Sequence, residues 1–200
     1  MNYINKTIDY YNENSDEFIK NTYNVDMSKC QSVFLSYLNK NDCILDLGCG
    51  SGRDSKIFLN KGYRVTSVDG SFELCKKAEK FIGKEVLNLK FQDIDFENKF
   101  HGIWACASLV HINKEDLRDI FNRIILALKE NGVLYISFKY GEFEGFRNGR
   151  YFIDINEKLL RDITKDFKNL LIDKTWITSD VRKNREEEKW LNAILIKKDV

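Results

Sequence analysis

Three glycines at alternate positions follow an aspartate in the run Asp46-Leu47-Gly48-Cys49-Gly50-Ser51-Gly52, directly after the apolar stretch Cys43-Ile44-Leu45. Glycine has no Cβ, so a chain leaving a strand here can turn at once, adopt positive φ and bring its backbone close to a bound nucleotide. The spacing departs from the dinucleotide fingerprint G-x-G-x-x-G, whose third glycine would fall where Arg53 stands. Further along, Asp69 follows the β-branched run Val65-Thr66-Ser67-Val68, at the distance from the turn at which an acidic side chain receives two ribose hydroxyls. His111 lies in Ser108-Leu109-Val110-His111-Ile112 and has the ordinary pKa range of a general base; its alternative role is to fix the start of the following helix.

These residues need a scaffold, and the pattern supplies one. A helix over 55–60, closed by Lys61-Gly62, leads to a strand over 63–68 that ends at Asp69-Gly70. A helix over 72–82, a strand over 86–91 and a strand over 100–106 continue the alternation. A helix over 114–129 with Ile120, Ile124, Ile125 and Leu128 on one face stops at Asn131-Gly132, before a fifth strand over 133–138. Alternating strands and helices predict a doubly wound parallel sheet. The remainder predicts a helix over 156–167, a strand over 170–177 and a last strand over 190–197, with the charged run 182–189 as a solvated hairpin loop. Ahead of the sheet, helices are expected over 14–25 and 28–38, with Tyr10 and Tyr11 preceding them.

The form D-x-G-x-G-x-G, followed by acids at the next two strand ends, resembles the class I S-adenosylmethionine-dependent methyltransferases, in their small single-domain bacterial form. The resemblance covers nearly the whole chain. It implies an α/β/α sandwich around a Rossmann-like seven-stranded sheet, mostly parallel, whose last strand runs antiparallel. It also implies S-adenosylmethionine as cofactor. Asp46 would then accept from the amino group of the methionine part, while Gly48, Cys49, Gly50 and Gly52 pass beneath the ligand. Asp69 and Gly70 would meet the ribose. Gln92-Asp93-Ile94 resembles the adenine-edge motif, with Asp93 accepting from the exocyclic amine and the Ile94 N–H meeting the ring. Ala105 and Cys106 would offer a carbonyl to the methionine amine. Tyr11 would close the site as an aromatic lid, unless the N-terminal segment is only an amphipathic helix on the sheet edge.

The loop after the fifth strand mixes glycines, aromatics, acids and arginines. Glu142, Arg147, Arg150 and Tyr151 are its candidate acceptor-binding residues, since arginine holds carboxylate or phosphate through a bidentate fork. The alternative is that Arg147 and Arg150 pair with Glu142 and Glu144 to order the loop. Trp176 and Trp190 read as core residues, and Asp180-Val181-Arg182 lies on a loop within reach of an acceptor.

With 32 basic against 31 acidic residues the chain has no global basic field, so nucleic acid is not supported as a partner. Five cysteines at irregular spacing match neither a zinc site nor a disulfide framework, so no metal is expected and the thiols read as reduced in a cytoplasmic protein. Proline is absent, so the Pro-Pro-aromatic box of nucleic-acid amino methyltransferases has no counterpart in Cys106-Ala107-Ser108-Leu109. The expected organisation is one domain over 1–200: a helical cap over 1–40, a cofactor-binding half over 41–139, and an acceptor-side loop and hairpin over 140–200. The expected reaction is methyl transfer to a small-molecule acceptor, oxygen before nitrogen, by a monomer or homodimer without membrane association. The alternatives are a tRNA or protein acceptor, an aminopropyl transferase with an acidic polyamine channel, and a non-catalytic cofactor-binding partner subunit.

Overall fold

Residues that alternate along each central strand sort into two cores, one on either side of a single sheet. A computed structural model describes residues 2–198. Strands β1 (Cys43–Leu47), β2 (Arg64–Asp69), β3 (Val86–Asn88), β4 (Phe100–Ala105) and β5 (Leu128–Lys139) pair in parallel, and β9 (Lys189–Lys197) runs antiparallel to both β5 and β8 (Leu170–Ser179). The order is β3-β2-β1-β4-β5-β9-β8, the seven-stranded arrangement expected.

On one face Leu45, Leu47, Ile103, Ala105, Leu134 and Ile136 meet the apolar sides of helices α6 (Lys114–Ala127) and α7 (Glu157–Thr164). On the other, Ile44, Trp104, Val133 and Tyr135 meet α3 (Ser28–Leu35) and α4 (Arg53–Asn60) through Phe34 and Phe58. Trp104 stacks on Tyr135 with centroids 3.9 Å apart. Helix α5 (Phe72–Ile82) follows the sequence reading, because Ser71 caps it by accepting from the Leu74 N–H and Gly83 ends it in the left-handed region. No helix among the described residues is long and apolar enough to cross a membrane.

Four departures from the sequence reading matter for the site. Tyr10 and Tyr11 do not precede the helices: they belong to α1 (Tyr3–Glu13), which is followed by α2 (Ser15–Thr22). The third strand stops at Asn88, and Phe91–Asp93 forms a 3₁₀ turn. Helix α6 ends at Ala127, and the Asn131-Gly132 stop falls in a bulge that shifts the β4–β5 register between Phe100 and Gly102. The loop after β5 contains a hairpin of β6 (Glu144–Arg147) and β7 (Arg150–Ile153). Its two-residue turn, Asn148-Gly149, has φ of 48° and 81°, the positive pair that a type I′ turn requires.

Candidate active site

The carboxyl ends of β1, β2, β4 and β5 open into one cavity of about 750 Å³, roofed by α1, α2 and the β6–β7 hairpin. Parallel sheets bind ligands at this end, where strand order reverses about β1 and β4. The walls carry Asp46, Gly48, Cys49, Gly50, Asp69, Gly70, Cys106, His111, Arg150 and Tyr11 from the sequence-expected set.

The glycine turn is held from beneath. Gly48 and Cys49 both donate to the Val68 carbonyl at 2.9 Å, and Gly48 sits at φ 80° with room for no side chain, since a Cβ would lie 2.5 Å from the Ser108 Cβ. Asp69, 9% exposed, accepts from the Gly50 N–H at 2.9 Å and the Ser71 N–H at 2.8 Å, one on each oxygen. Each oxygen keeps a lone pair for a ligand hydroxyl. Burial raises the Asp69 carboxyl above its usual range, and the two N–H donors oppose that rise.

Asp46 is 2% exposed, and its only hydrogen-bond donor among the described residues is the Ser55 hydroxyl at 2.5 Å. Burial, reinforced by the Asp54 carboxylate, pushes it up to about 7. A carboxyl raised above its unfolded value contributes stability that is fully present below about pH 4 and is lost as pH rises through about 7. Ionised, Asp46 is a buried carboxylate with one hydroxyl donor.

His111 lies across the cavity wall in a short turn after β4. Its Nδ1 is 2.7 Å from the Tyr151 carbonyl, which can only accept, so Nδ1 carries the proton. Nε2 then accepts from the Tyr11 hydroxyl at 2.8 Å, and that hydroxyl in turn accepts from Arg150 Nη1 at 3.2 Å. Burial lowers the His111 pKa to about 4, with the Arg150 charge adding to it, so the ring is neutral near pH 7 and a weaker base than the ordinary histidine range expected from the sequence. Burial also raises the Tyr11 hydroxyl.

Several expected residues stand elsewhere. Gly52 lies outside the cavity at φ 78°, where a Cβ would meet Ile82 at 2.8 Å, so its close approach is to α5. Asp93 is exposed and Ile94 is 2% exposed in the core; neither lines the cavity, because the 3₁₀ turn directs Gln92 inward instead. Both polar atoms of the Gln92 amide are buried there without a partner. Ala105 is a core residue, and the strand end offers Cys106 and Ala107 to the cavity. Ala107 is turned to φ 52° and donates to Ser137 at 2.8 Å. Glu142 accepts from Asn156, and Tyr151 donates to Glu144; neither faces the cavity. Arg147 is spent on a bidentate pair with Asp154 at 2.8 and 2.6 Å, rather than on Glu142, Glu144 or a ligand. Arg150 has neither glutamate as partner.

The charged run 182–189 is only partly a solvated loop. Arg182 folds back on buried Asp180, and both line the cavity with Val181, Arg185 and Trp190. Sequence reasoning gave Gln92 no role of its own within its motif, and missed Arg53, Ser137 and Lys139 in the wall. Among the described residues no three His, Cys, Asp or Glu side chains are grouped to hold a metal ion.

Residues 44–132 match the family model described as a methyltransferase domain. Over that stretch, a little under half of the chain, it is similar to the methyltransferases. The chain is 29% identical over 128 residues to an N-terminal Xaa-Pro-Lys N-methyltransferase 1-A of Xenopus laevis, across 56% of this chain and 57% of that protein. It thus spans a little over half the length of that curated relative. Its fold matches the Burkholderia thailandensis 1,6-didemethyltoxoflavin-N1-methyltransferase with bound 1,6-didemethyltoxoflavin and S-adenosylhomocysteine, at a TM-score of 0.75 and 21% identity, covering 96% of this chain and 85% of that one. It also matches magnesium protoporphyrin IX methyltransferase of Synechocystis PCC 6803 with bound S-adenosylmethionine, at a TM-score of 0.79 and 14% identity over 98% of each chain. At these identities the likeness to the two structures is one of fold.

Proposed function

We propose that this chain transfers the methyl group of S-adenosylmethionine to a small-molecule acceptor, at oxygen, with α1 and α2 serving as a cap over the cofactor while α3, also in the expected 1–40 cap, packs on the sheet. The observation that carries the reading is a single cavity joining the Asp46–Gly48–Asp69 end to the Tyr11–His111–Arg150 end. The cofactor's groups fit the residues present: an ammonium for ionised Asp46, ribose hydroxyls for Asp69, and an adenine edge for the unpartnered Gln92 amide. When bound, the cofactor supplies an electrophilic methyl group beside a sulfonium.

The chain's own residues have three tasks. The α1–α2 roof excludes water, with Tyr11 and Phe18 packed edge to face at 5.2 Å. The walls hold the acceptor in line with the methyl group. Neutral His111, reached through the Tyr11 hydroxyl, takes up the proton that a hydroxyl acceptor must lose, passing from acceptor oxygen to Tyr11 and from Tyr11 to Nε2. A neutral amine acceptor needs no base to attack, so this proton path favours oxygen. Nitrogen is the second reading, favoured by the N-methyltransferase named among the relatives.

Calorimetric titration with S-adenosylmethionine and S-adenosylhomocysteine tests the cofactor. Micromolar binding, about −8 kcal/mol, is expected; no binding to folded protein at millimolar ligand overturns the reading. The Asp46 carboxyl adds a pH signature. Because the ammonium requires ionised Asp46, S-adenosylhomocysteine affinity should fall below about pH 7, approaching roughly tenfold per pH unit. Binding at pH 6.5 should also release a proton, visible as a buffer-dependent enthalpy.

For acceptors, S-adenosylhomocysteine formation is followed against panels of hydroxyl and amine compounds. On a hydroxyl acceptor so found, His111→Ala should lower turnover by about 10²-fold and leave S-adenosylhomocysteine affinity within about twofold. An equal loss of both would reduce His111 to a prop for the turn.

A further inference from the structure

Of the seven lysines and arginines in the cavity wall four have a counter-ion among the described residues, while Lys29 and Lys90 have none. Asp180 takes Arg182 through two nitrogens at 2.9 and 2.5 Å, Glu188 takes Lys139 and Arg185, and Asp54 takes Arg53. Arg150 is the seventh. Among the described residues no carboxylate lies within the 4.0 Å of an ion pair from it, its Nε is buried without a partner, and its Nη1 donates only to the neutral Tyr11 hydroxyl.

A partly buried guanidinium without an anion is costly to keep. The fold nevertheless holds it firmly. The rings of Tyr10, Tyr11 and Phe152 stand 4.6, 5.5 and 5.1 Å from its Cζ. These aromatic faces offset part of the charge but accept no N–H in the plane of the fork. The next residue is pinned twice, by the Tyr151 N–H donating to Thr7 Oγ1 at 3.1 Å and by the Tyr151 carbonyl accepting from His111. A rigid, planar donor set with unused hydrogens, facing a cavity, is the arrangement that binds a planar oxyanion bidentately.

We propose, resting on the methyl-transfer reading above, that Arg150 anchors a carboxylate carried by the methyl acceptor, so that the substrate class is small hydroxy-carboxylic acids. The cofactor has a carboxylate of its own, but its methionine end belongs beside the glycine turn, which Arg53 follows in the wall. Arg150 stands instead against Tyr11 and His111, where the acceptor's hydroxyl must lose its proton.

The test is calorimetric titration of 4-hydroxybenzoate, and separately of inorganic phosphate, into the full chain saturated with S-adenosylhomocysteine. The proteins are wild type, Arg150→Met and Arg150→Lys, each first checked for a cooperative thermal transition. Expected are millimolar or tighter 4-hydroxybenzoate binding to wild type, a loss of at least tenfold in Arg150→Met, partial recovery in Arg150→Lys, weaker binding of phosphate, and unchanged S-adenosylhomocysteine affinity in all three. The proposal is overturned if the benzoate fails to bind wild type at 10 mM, if it binds Arg150→Met equally well, or if phosphate binds better. It is also overturned if Arg150→Met instead loses S-adenosylhomocysteine affinity, since the guanidinium would then serve the cofactor's carboxylate. Failure of wild type to bind S-adenosylhomocysteine at all would strike the methyl-transfer reading itself, and is seen before any acid is added.

Discussion

Asp54→Ala should cost about 3–5 kcal/mol of folding stability, the penalty for removing one partner of a buried, hydrogen-bonded charge. For a chain of this size that lowers the melting temperature by roughly 10 °C. Asp54 is 6% exposed and makes four hydrogen bonds that draw three elements together. Oδ1 accepts from Gln31 of α3 at 2.7 Å and from Arg53 Nε at 2.9 Å, while Oδ2 accepts from Arg53 Nη2 at 2.7 Å and from the Trp104 indole of β4 at 2.9 Å. Its place in the first turn of α4 adds a favourable helix-dipole contact. Alanine leaves the Trp104 indole N–H and the Gln31 amide without their acceptor and the Arg53 guanidinium with the Thr22 carbonyl alone. The contrast is Arg118→Ala, which breaks a pair with Asp166 whose side chains are 67% and 49% exposed. There the loss should stay within about 0.5 kcal/mol. Urea unfolding of both variants checks the two numbers. A loss at Asp54 no larger than at Arg118 would mean that the α3–α4–β4 junction is held by Phe34, Phe58 and Trp104 packing alone.

The buried network around Asp54 marks where the sequence is least legible. The run of strands could be followed because β1, β4 and β5 bury both faces and read as near-continuous apolar segments. The glycine turn, Asp46 and Asp69 could be placed because each closes such a strand. Asp93 was displaced by one position because a 3₁₀ turn follows β3, and the local sequence carries no mark of where pairing with β2 stops. Partner choices such as Arg147 with Asp154 depend on how β6 and β7 fold together, so the nearby glutamates were the wrong inference from proximity along the chain. Two local signals do mark elements of the roof. Asn148-Gly149 is the dipeptide of a two-residue hairpin. Asn2, with Ile4, Ile8 and Tyr11 beyond it, carries the cap and the i, i+4, i+7 spacing of α1.

Asp69→Asn should weaken S-adenosylhomocysteine binding by about 100-fold, the loss of roughly 3 kcal/mol expected when two ribose hydroxyls no longer meet a carboxylate. The substitution keeps the size of the side chain but gives it an N–H₂ group where both oxygens now accept. One of the Gly50 and Ser71 N–H groups then faces a donor. Asp69 therefore acts twice, as ligand acceptor and as the strut that holds Gly50 of the turn against the end of β2. Comparing adenosine with 2′,3′-dideoxyadenosine separates the two roles. If the carboxylate binds ribose as well as bracing the turn, the variant loses much more adenosine affinity than affinity for the dideoxy compound, which has no hydroxyls to offer and feels only the lost strut. If both nucleosides weaken equally, the strut is the whole effect and the ribose finds its partners elsewhere. The first outcome is expected because each oxygen of Asp69 uses only one of its lone pairs within the protein, leaving one per oxygen for a cis-diol.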